Sequence, residues 1–202
     1  MIVITGGPCG GKSSALKRIK SEFTDRGYTV LTLSETATEL IGSGIAPWTC
    51  KPFGAYQRCQ MRLQNMKEEI FLNAASTMDA ERILIVSDRA LFDSLAYMGD
   101  QRFDEGLSAL GLNRQQVLSR YDAVFHLVTA AKGAEAYYTT ANNSARKEDA
   151  EEAAVLDDRT LAAWSMHPYH RVIDNSTDFC GKLDRLTDEI ARFLSEREGG
   201  VK

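Results

Sequence analysis

The fold of this 202-residue chain is decided by residues 6–14, Gly6-Gly7-Pro8-Cys9-Gly10-Gly11-Lys12-Ser13-Ser14. The stretch fits the pattern GxxxxGK[ST] and stands between an apolar run, Ile2–Thr5, and an amphipathic helical pattern. Glycine lets the chain turn sharply, so that successive backbone N–H groups point inward and form a concave anion site. The following helix adds unpaired N–H donors and the positive end of its dipole. The stretch therefore predicts a phosphate-binding loop.

The side chains of this loop have predicted roles toward ATP and Mg²⁺. Lys12 is expected to contact the β- and γ-phosphates, and the Ser13 hydroxyl is expected to coordinate Mg²⁺. Cys9 lies near a helix N-terminus that would favour its thiolate, but its small size is the alternative reason for its place there. The residues predicted to bind the nucleotide are Gly6, Gly7, Pro8, Cys9, Gly10, Gly11, Lys12, Ser13 and Ser14. The sequence contains no guanine-reading NKxD motif after the fourth predicted strand, which favours ATP over GTP.

Composition and charge argue against several classes of protein. With 44% hydrophobic residues, 26% charged residues and a net charge of −4, the chain is typical of globular proteins. The sequence has no basic stripe, so neither nucleic acid nor an anionic membrane is expected as a partner. It has no apolar run long enough for a membrane span and no pattern of a signal peptide at its start. Its four scattered cysteines favour reduced thiols, so we expect a cytoplasmic location.

Apolar runs alternate with helical patterns along the chain. Strands are predicted at 2–5, 28–34, 82–87, 122–129 and 169–175, and helices at 12–26, 35–41, 54–77, 91–98, 151–164 and 183–194. The apolar face of the long helix is predicted to contain Tyr56, Cys59, Leu63, Met66 and Ile70. This alternation predicts an α/β fold with a parallel sheet covered on both faces. Residues 1–198 are expected to form one domain, and residues 199–202 a frayed tail.

An acidic residue follows the clearest buried strand. The apolar run Ile83–Ser87 is followed directly by Asp88 and Arg89. An apolar strand that ends in aspartate is the Walker B pattern, and its carboxylate is predicted to hold Mg²⁺ directly or through water. The alternative role of Asp88 is that of a helix N-cap, and the two roles are compatible.

Glu35 directly follows the second predicted strand. At the carboxyl edge of a parallel sheet, its carboxylate would face the acceptor side of the phosphates and could take a proton from an attacking hydroxyl group. The alternative is an ordinary carboxylate at a helix N-terminus, which the helix dipole favours. Either Glu35 or Asp88 could therefore orient or deprotonate the acceptor.

Two further regions are candidates for the site. The polar stretch 130–150 is longer than a usual connection, which predicts a lid. Arg146, near the end of this lid, is predicted to neutralise charge on a transferring phosphoryl group, and a solvated surface charge is the alternative. Trp48, Phe53 and Tyr56 cluster around the loop after the second strand. They would wall an acceptor pocket, with core packing as the alternative.

Four segments together resemble a known family. They are GGPCGGKS at 6–13, SETATELIGSG at 34–44, SDRALFDSLAY at 87–97 and WSMHPYHRVIDNSTDF at 164–179. These segments resemble the P-loop domain shared by the NadR kinase region and the Ttd14-like proteins. That domain is often labelled an AAA domain, although it is similar to the small P-loop kinases. The resemblance covers nearly the whole chain.

This resemblance implies a P-loop NTPase three-layer sandwich, with a parallel five-stranded sheet of order 2-3-1-4-5 and a lid across the phosphates. By analogy with nucleoside kinases of similar build, Glu35 would occupy the position of the base. Asp88 and Arg89 would form the acidic–arginine pair after the third strand. Gln57 would point toward the acceptor, and Asn175 would lie near the nucleotide base.

The sequence leaves two functions open. The first is a kinase that transfers the γ-phosphate of ATP to a hydroxyl of a small nucleoside-like or riboside metabolite, because NadR-type members phosphorylate ribosylnicotinamide. The second is a regulatory module that binds ATP or GTP and hydrolyses it slowly, because Ttd14-type members bind GTP and phosphoinositides. An oligomeric remodelling ATPase is not expected, since the sequence has no recognisable second helical domain after the last strand. The oligomeric state and the acceptor are not predicted.

Overall fold

A computed structural model of the chain describes residues 1–52, 54–134 and 149–199. Its centre is a parallel sheet of five strands in the order β2-β3-β1-β4-β5. The strands are β1 (Ile2–Thr5), β2 (Thr29–Leu33), β3 (Ile83–Asp88), β4 (Ala123–Leu127) and β5 (His170–Ile173). The predicted fold class and strand order are therefore confirmed.

Helices connect and cover these strands. They are α1 (Lys12–Asp25), α2 (Thr36–Gly42), α3 (Ala55–Thr77), α4 (Ser94–Met98), α5 (Asp100–Ser108), α6 (Arg114–Leu118), α7 (Ala150–Ala163) and α8 (Phe179–Gly199). Short 3₁₀ turns precede α4 at Leu91–Asp93 and follow α7 at Trp164–Met166. Among the described residues, no helix is long and apolar enough to cross a membrane.

The sequence patterns do not predict α5 and α6, which are short. The start of α6 nevertheless carries a local signal, because Asn113 and Gln116 form a capping box. The Asn113 side chain accepts from the Gln116 amide at 2.9 Å, and the Gln116 side chain accepts from the Asn113 amide at 2.9 Å. An Asn-x-x-Gln pattern before a helix would have located it.

The sheet is buried on both faces, which makes a three-layer sandwich. Ile4 of β1 packs into a cluster formed with α1 and α8, whereas its neighbour Val3 packs into a second cluster on the opposite face. The first cluster includes Phe23 and Phe125, and the second includes Trp164. Side chains on both faces of a strand are apolar because the layers leave neither face to water.

The predicted apolar face of α3 is wrong in part. Met66 and Ile70 are exposed over more than half of their surface, and Cys59 is also exposed. The buried residues of α3 are Tyr56, Met61, Gln64 and Glu68. Two of these four are polar, so apolar spacing alone could not identify the buried face.

Glu68 explains why α3 buries polar residues. Its carboxylate accepts hydrogen bonds from the Leu91 amide at 2.8 Å, from the Tyr121 hydroxyl at 2.9 Å and from the Gln64 side chain at 2.9 Å. Arg120 approaches the second carboxylate oxygen at 3.3 Å. A buried carboxylate is tolerated when such partners replace water. The contacts fasten α3 to the chain that leaves β3.

The register of the sheet brings the candidate residues to one edge. Ile4, next to the end of β1, is paired with Asp88, and Leu33, at the end of β2, is paired with Ser87. Because the strands are parallel, the segments that follow β1, β2 and β3 leave from the same edge. Ligands of open α/β sheets bind at this edge.

His170, at the start of β5, supplies a test of this packing. Its ring lies 6.1 Å from that of His126, and its buried Nε2 has no hydrogen-bond partner in the described chain. Burial and the neighbouring His126 lower the pKa of His170 to about 4. The unfolded chain, with a histidine pKa near 6.5, therefore binds a proton that the folded chain does not bind between these two values.

We expect His170→Phe to flatten the pH dependence of unfolding. The difference between these pKa values corresponds to about 3 kcal/mol. Because His170 is only partly buried, we expect a smaller loss of stability, about 1–2 kcal/mol, as the pH falls from about 6.5 to about 4. Urea unfolding at several pH values checks this. The two proteins should have parallel stability profiles above about pH 7.5, and equally steep profiles below pH 6.5 would contradict the buried neutral state of His170.

Candidate functional site

The loop after β1 is tightly confined. Gly6 has φ 124° and Gly11 has φ 91°, conformations that favour glycine. A Cβ atom on Gly6 would lie 2.1 Å from the Leu127 carbonyl oxygen, and one on Gly7 would lie 2.8 Å from the Asp157 side chain. The loop is therefore pressed between the end of β4 and α7, and a larger residue at either position would displace it.

The end of the loop presents donors and a cation. Gly11 precedes α1 in a left-handed conformation, and no side chain of the described residues caps the first turn of this helix. Lys12 is buried, and its ammonium group donates to the carbonyls of Gly6 at 3.2 Å and Gly7 at 2.8 Å. Ser13 and Ser14 are exposed. This combination suits a polyphosphate, since the amides and the ammonium group offer positive charge at one point.

Asp88 ends β3 beside this loop. Its side chain is buried, and Oδ1 has no hydrogen-bond partner among the residues that the structure describes. Burial raises the pKa of Asp88, and the negative charge of Glu35 adds to this effect. A cation at Oδ1 would satisfy this oxygen, so the residues fit Mg²⁺ held by Asp88 and the exposed Ser13 hydroxyl. Within the described ranges, no three or more His, Cys, Asp and Glu residues are grouped so that they could hold a metal ion.

Glu35 and Arg89 form an ion pair at the same edge. Arg89 Nε donates to Glu35 Oε1 at 2.9 Å, and the Thr38 hydroxyl donates to the other carboxylate oxygen at 2.6 Å. Burial alone would raise the pKa of Glu35, but the charges of Arg89 and Lys12 hold it well below its usual range. Glu35 is therefore ionised at neutral pH. Although Glu35 is the N-cap residue of α2, its side chain forms no capping hydrogen bond with the helix.

Arg89 is held in a strained conformation by a residue that sequence reasoning did not identify. Its φ is 63°, which is costly for a residue with a Cβ atom. Asp93 accepts from Arg89 at 3.4 Å, from the Ala90 amide at 2.9 Å and from Trp164 Nε1 at 3.3 Å. It also accepts from the Thr5 hydroxyl at the end of β1. The four-residue spacing between Arg89 and Asp93 was the available signal.

Two polar groups at the start of α3 lack partners among the described residues. The hydroxyl of Tyr56 and Oε1 of Gln57 are buried, and neither has a hydrogen-bond partner within the described parts of the chain. Burial and the charge of Glu35 raise the pKa of Tyr56 to about 12. Unpartnered buried polar atoms are uncommon in proteins and call for a specific explanation. A ligand beside Glu35 would supply a partner for the Tyr56 hydroxyl.

The remaining predicted residues are dispersed. Trp48 lies in the loop before α3 with about half of its surface exposed. Phe53 and Arg146 lie outside the described residues, so the role of Arg146 stays a prediction. Asn175 donates both amide hydrogens, to the carbonyls of Thr129 at 2.8 Å and Lys132 at 2.7 Å. It therefore braces the chain that leaves β4, and its proximity to the nucleotide base also stays a prediction.

Phe179, which sequence reasoning did not single out, lies against the loop. It begins α8 with half of its surface exposed, and its ring would lie 2.6 Å from a Cβ atom on Gly11. The aromatic ring is thus an open platform at the junction of the loop and α1. Single exposed aromatic residues are common, so the sequence alone carried no signal of this contact.

The strand order, the glycine loop and the acidic strand end define a P-loop protein with a kinase-like fold. The chain belongs to the AAA domain family, whose model matches residues 1–181. The predicted family resemblance is thereby confirmed. No curated protein sequence matched the chain.

Solved structures that share this fold include two nucleoside or nucleotide kinases. The deoxyadenosine kinase from M. mycoides with bound dATP matches with a TM-score of 0.63 and 16% identity, over 94% of this chain and 98% of that chain. The thymidylate kinase from Candida albicans matches with a TM-score of 0.60 and 15% identity, over 98% of this chain and 91% of that chain. At such identities, the likeness establishes the fold.

We expect Gly6→Ala to impair both the stability of the loop and its affinity for ATP. The new Cβ would collide with the Leu127 carbonyl and impose strain of about 1–3 kcal/mol, which corresponds to a loss of affinity of about 5- to 150-fold if the strain falls on the binding conformation. Calorimetric titration with Mg²⁺-ATP checks this. Gly42→Ala is the control, because no atom lies within 4 Å of its added Cβ. Unchanged affinity in Gly6→Ala would contradict the confinement of the loop.

Proposed function

We propose that this protein is an ATP-dependent phosphotransferase that moves the γ-phosphate of ATP to a hydroxyl group of a small nucleoside-like or riboside metabolite. The observation that carries the proposal is the placement of two unlike features at one sheet edge. A phosphate loop with a buried lysine lies beside a partly buried carboxylate, Glu35, which is held by Arg89. A module that only binds nucleotide has no need for the second feature.

On the donor side, the loop amides would hold the phosphates of ATP. Lys12 now donates to two loop carbonyls, and it would exchange them for phosphate oxygens when ATP binds. Ser13 and Asp88 would hold Mg²⁺, which supplies positive charge to the β- and γ-phosphates. The exposed ring of Phe179 beside Gly11 could stack on a planar base. These contacts would position the γ-phosphate at the carboxyl edge of the sheet.

On the acceptor side, Glu35 would accept a hydrogen bond from the attacking hydroxyl group. Its ion pair with Arg89 and its hydrogen bond from Thr38 fix its orientation. In phosphoryl transfer, catalysis comes mainly from positioning and charge stabilisation, so an ionised carboxylate that orients the hydroxyl and takes its proton late is sufficient. Asp88 then serves the metal, and Glu35 serves the acceptor.

Charge at this edge favours an acceptor that carries no phosphate. Among the residues that the structure describes, this edge carries three carboxylates, Glu35, Asp88 and Asp93, and two cations, Lys12 and Arg89. Arg89 is already paired with two of the three carboxylates. An acceptor phosphate requires cations that are available to it. A neutral or cationic riboside meets no such requirement, and its N–H and O–H groups could satisfy Gln57 and Tyr56. The deoxyadenosine kinase is therefore a better guide to the acceptor than the thymidylate kinase.

We expect ATP consumption to rise when a suitable nucleoside or riboside is added from a panel that also contains nucleoside monophosphates and sugars. A coupled assay of ADP release checks this. If no acceptor in the panel accelerates consumption while ATP still binds tightly, the kinase proposal fails and the regulatory module is favoured. Preference for monophosphates would contradict the charge argument.

We expect Glu35→Gln to lower kcat by about 10²–10⁴-fold, because the amide cannot take the proton of the acceptor. The affinity for ATP should change by less than about twofold, since the loop is unaltered. Glu39→Gln is the matched control, because Glu39 lies on α2, the short helix that Glu35 precedes, but pairs with Lys67 at 2.6 Å. Steady-state kinetics checks both variants, and a parental kcat in Glu35→Gln would exclude Glu35 as the base.

We expect Asp88→Asn to raise the Mg²⁺ concentration required for half-maximal activity by about tenfold or more. The amide retains one oxygen but lacks the charge that attracts the metal. Activity measured over a Mg²⁺ titration at saturating ATP checks this, with Asp184→Asn as the control because its carboxylate is paired with Arg18 at 2.9 Å. An unchanged Mg²⁺ requirement would show that Asp88 is no metal ligand.

A further inference from the structure

Beneath the phosphate loop lies a carboxylate that the proposed reaction does not use. Asp157, on α7, has a side-chain exposure of 1%. Its Oδ1 accepts from the Gly7 amide at 2.7 Å and from the Thr129 amide at 3.2 Å, and His126 Nε2 lies 3.0 Å from it. Its Oδ2 accepts from Lys132 at 3.0 Å. The phosphate loop, the end of β4 with the chain that follows it, and α7 therefore meet at this carboxylate.

The position of this anion is unfavourable for the binding of phosphate. Negative charge close to a site for a polyphosphate repels the ligand, and burial weakens screening by water. Burial by itself would raise the pKa of Asp157, but hydrogen bonds from His126, Gly7 and Lys132 lower it, so the group is ionised. Because Lys132 lies 3.0 Å from Oδ2 and offsets this charge, we expect the net electrostatic effect of Asp157 on ATP to be small. The geometry of its hydrogen bonds instead indicates a role in holding the loop in position.

Asp157 fixes the position of Gly7, at the start of the loop. The Gly7 amide points to the carboxylate and not into the loop, and a Cβ atom on Gly7 would lie 2.9 Å from Asp157 Oδ1. Thr129 adds a second tie, because its hydroxyl donates to the Pro8 carbonyl while its amide donates to Asp157. The first residues of the loop are thus held from the side opposite to the ligand.

We propose that Asp157 is a positioning residue that holds Gly7 and so keeps the phosphate loop in the shape that binds ATP. The proposal rests on the nucleotide-binding part of the proposed function and does not depend on the transfer step. Asp157 itself is not expected to contact the nucleotide. Its effect on affinity comes from the cost of ordering the loop, which a held loop does not incur when ATP arrives.

Two substitutions separate position from charge. Asp157→Asn removes the charge but keeps an oxygen for the Gly7 amide, so the affinity for Mg²⁺-ATP should fall by less than about threefold. Asp157→Glu keeps the charge but shifts the oxygen along the longer side chain, so the affinity should fall by about tenfold or more. Asp158→Asn is the control, because Asp158 also pairs with Lys132, at 2.6 Å, but is 69% exposed and has no contact with the loop among the described residues.

Calorimetric titration with Mg²⁺-ATP, at a temperature well below the unfolding transition of each variant, supplies the readout. Magnesium tripolyphosphate is a second probe, because it engages the loop without a base and should show the same order of affinities. If Asp157→Glu binds ATP as the parent does, or if Asp157→Asn binds it more tightly, charge governs the site and the proposal is overturned. Lower melting temperatures with unchanged affinities overturn it as well, because they indicate a purely structural role.

The outcomes distinguish this proposal from the proposed function. A parent protein that binds ATP but phosphorylates no acceptor refutes the transfer reaction, and the Asp157 variants still report on the loop. A parent protein that binds neither ATP nor tripolyphosphate refutes both. If kinase activity is present, Asp157→Glu should raise KM for ATP by at least as much as it lowers kcat, whereas Glu35→Gln should lower kcat alone.

Discussion

The structure depends on the contact between the phosphate loop and one backbone carbonyl at the end of β4. Cβ atoms on Gly6 and Gly10 would lie 2.1 Å and 2.6 Å from the Leu127 oxygen. Glycine is therefore required at both positions for the loop to pack against the end of β4. Because the contact is so close, a shift of the loop toward β4 would displace the end of the strand. Because β4 is also paired with β1 and β5, the shape of the phosphate loop is tied to the centre of the sheet.

The acceptor side of the candidate site depends on Arg89, whose backbone is strained and whose side chain forms two ion pairs. Arg89 adopts a positive φ immediately after β3, and its amide donates to the Ile4 carbonyl at 3.0 Å. Its guanidinium group is shared by Glu35 and Asp93. A strained backbone conformation persists only where surrounding contacts hold the residue in place, and such residues are concentrated at functional sites. Arg89 thus joins the ends of β1, β2 and β3 through side-chain and backbone contacts.

Buried acidic residues in the interior connect the surrounding helices to this edge. Glu68 ties α3 to the chain after β3, Asp93 ties the first 3₁₀ turn to β1, and Asp157 ties α7 to the phosphate loop. Each accepts hydrogen bonds from backbone amides, which require an acceptor when they are buried. Interior carboxylates therefore hold the helices in position around the site, while apolar contacts supply most of the burial.

The sequence by itself determined the α/β class, the phosphate loop and the acidic end of β3, because glycine spacing and apolar runs are local signals. It also placed Glu35 directly after β2. The buried face of α3 and the roles of Asp93 and Asp157 were decided only by the tertiary structure. A buried carboxylate looks like a surface residue in sequence, and its partners here lie as many as 150 positions away. Only the packing of distant segments creates the low-dielectric surroundings and the amide donors that give such a residue its function.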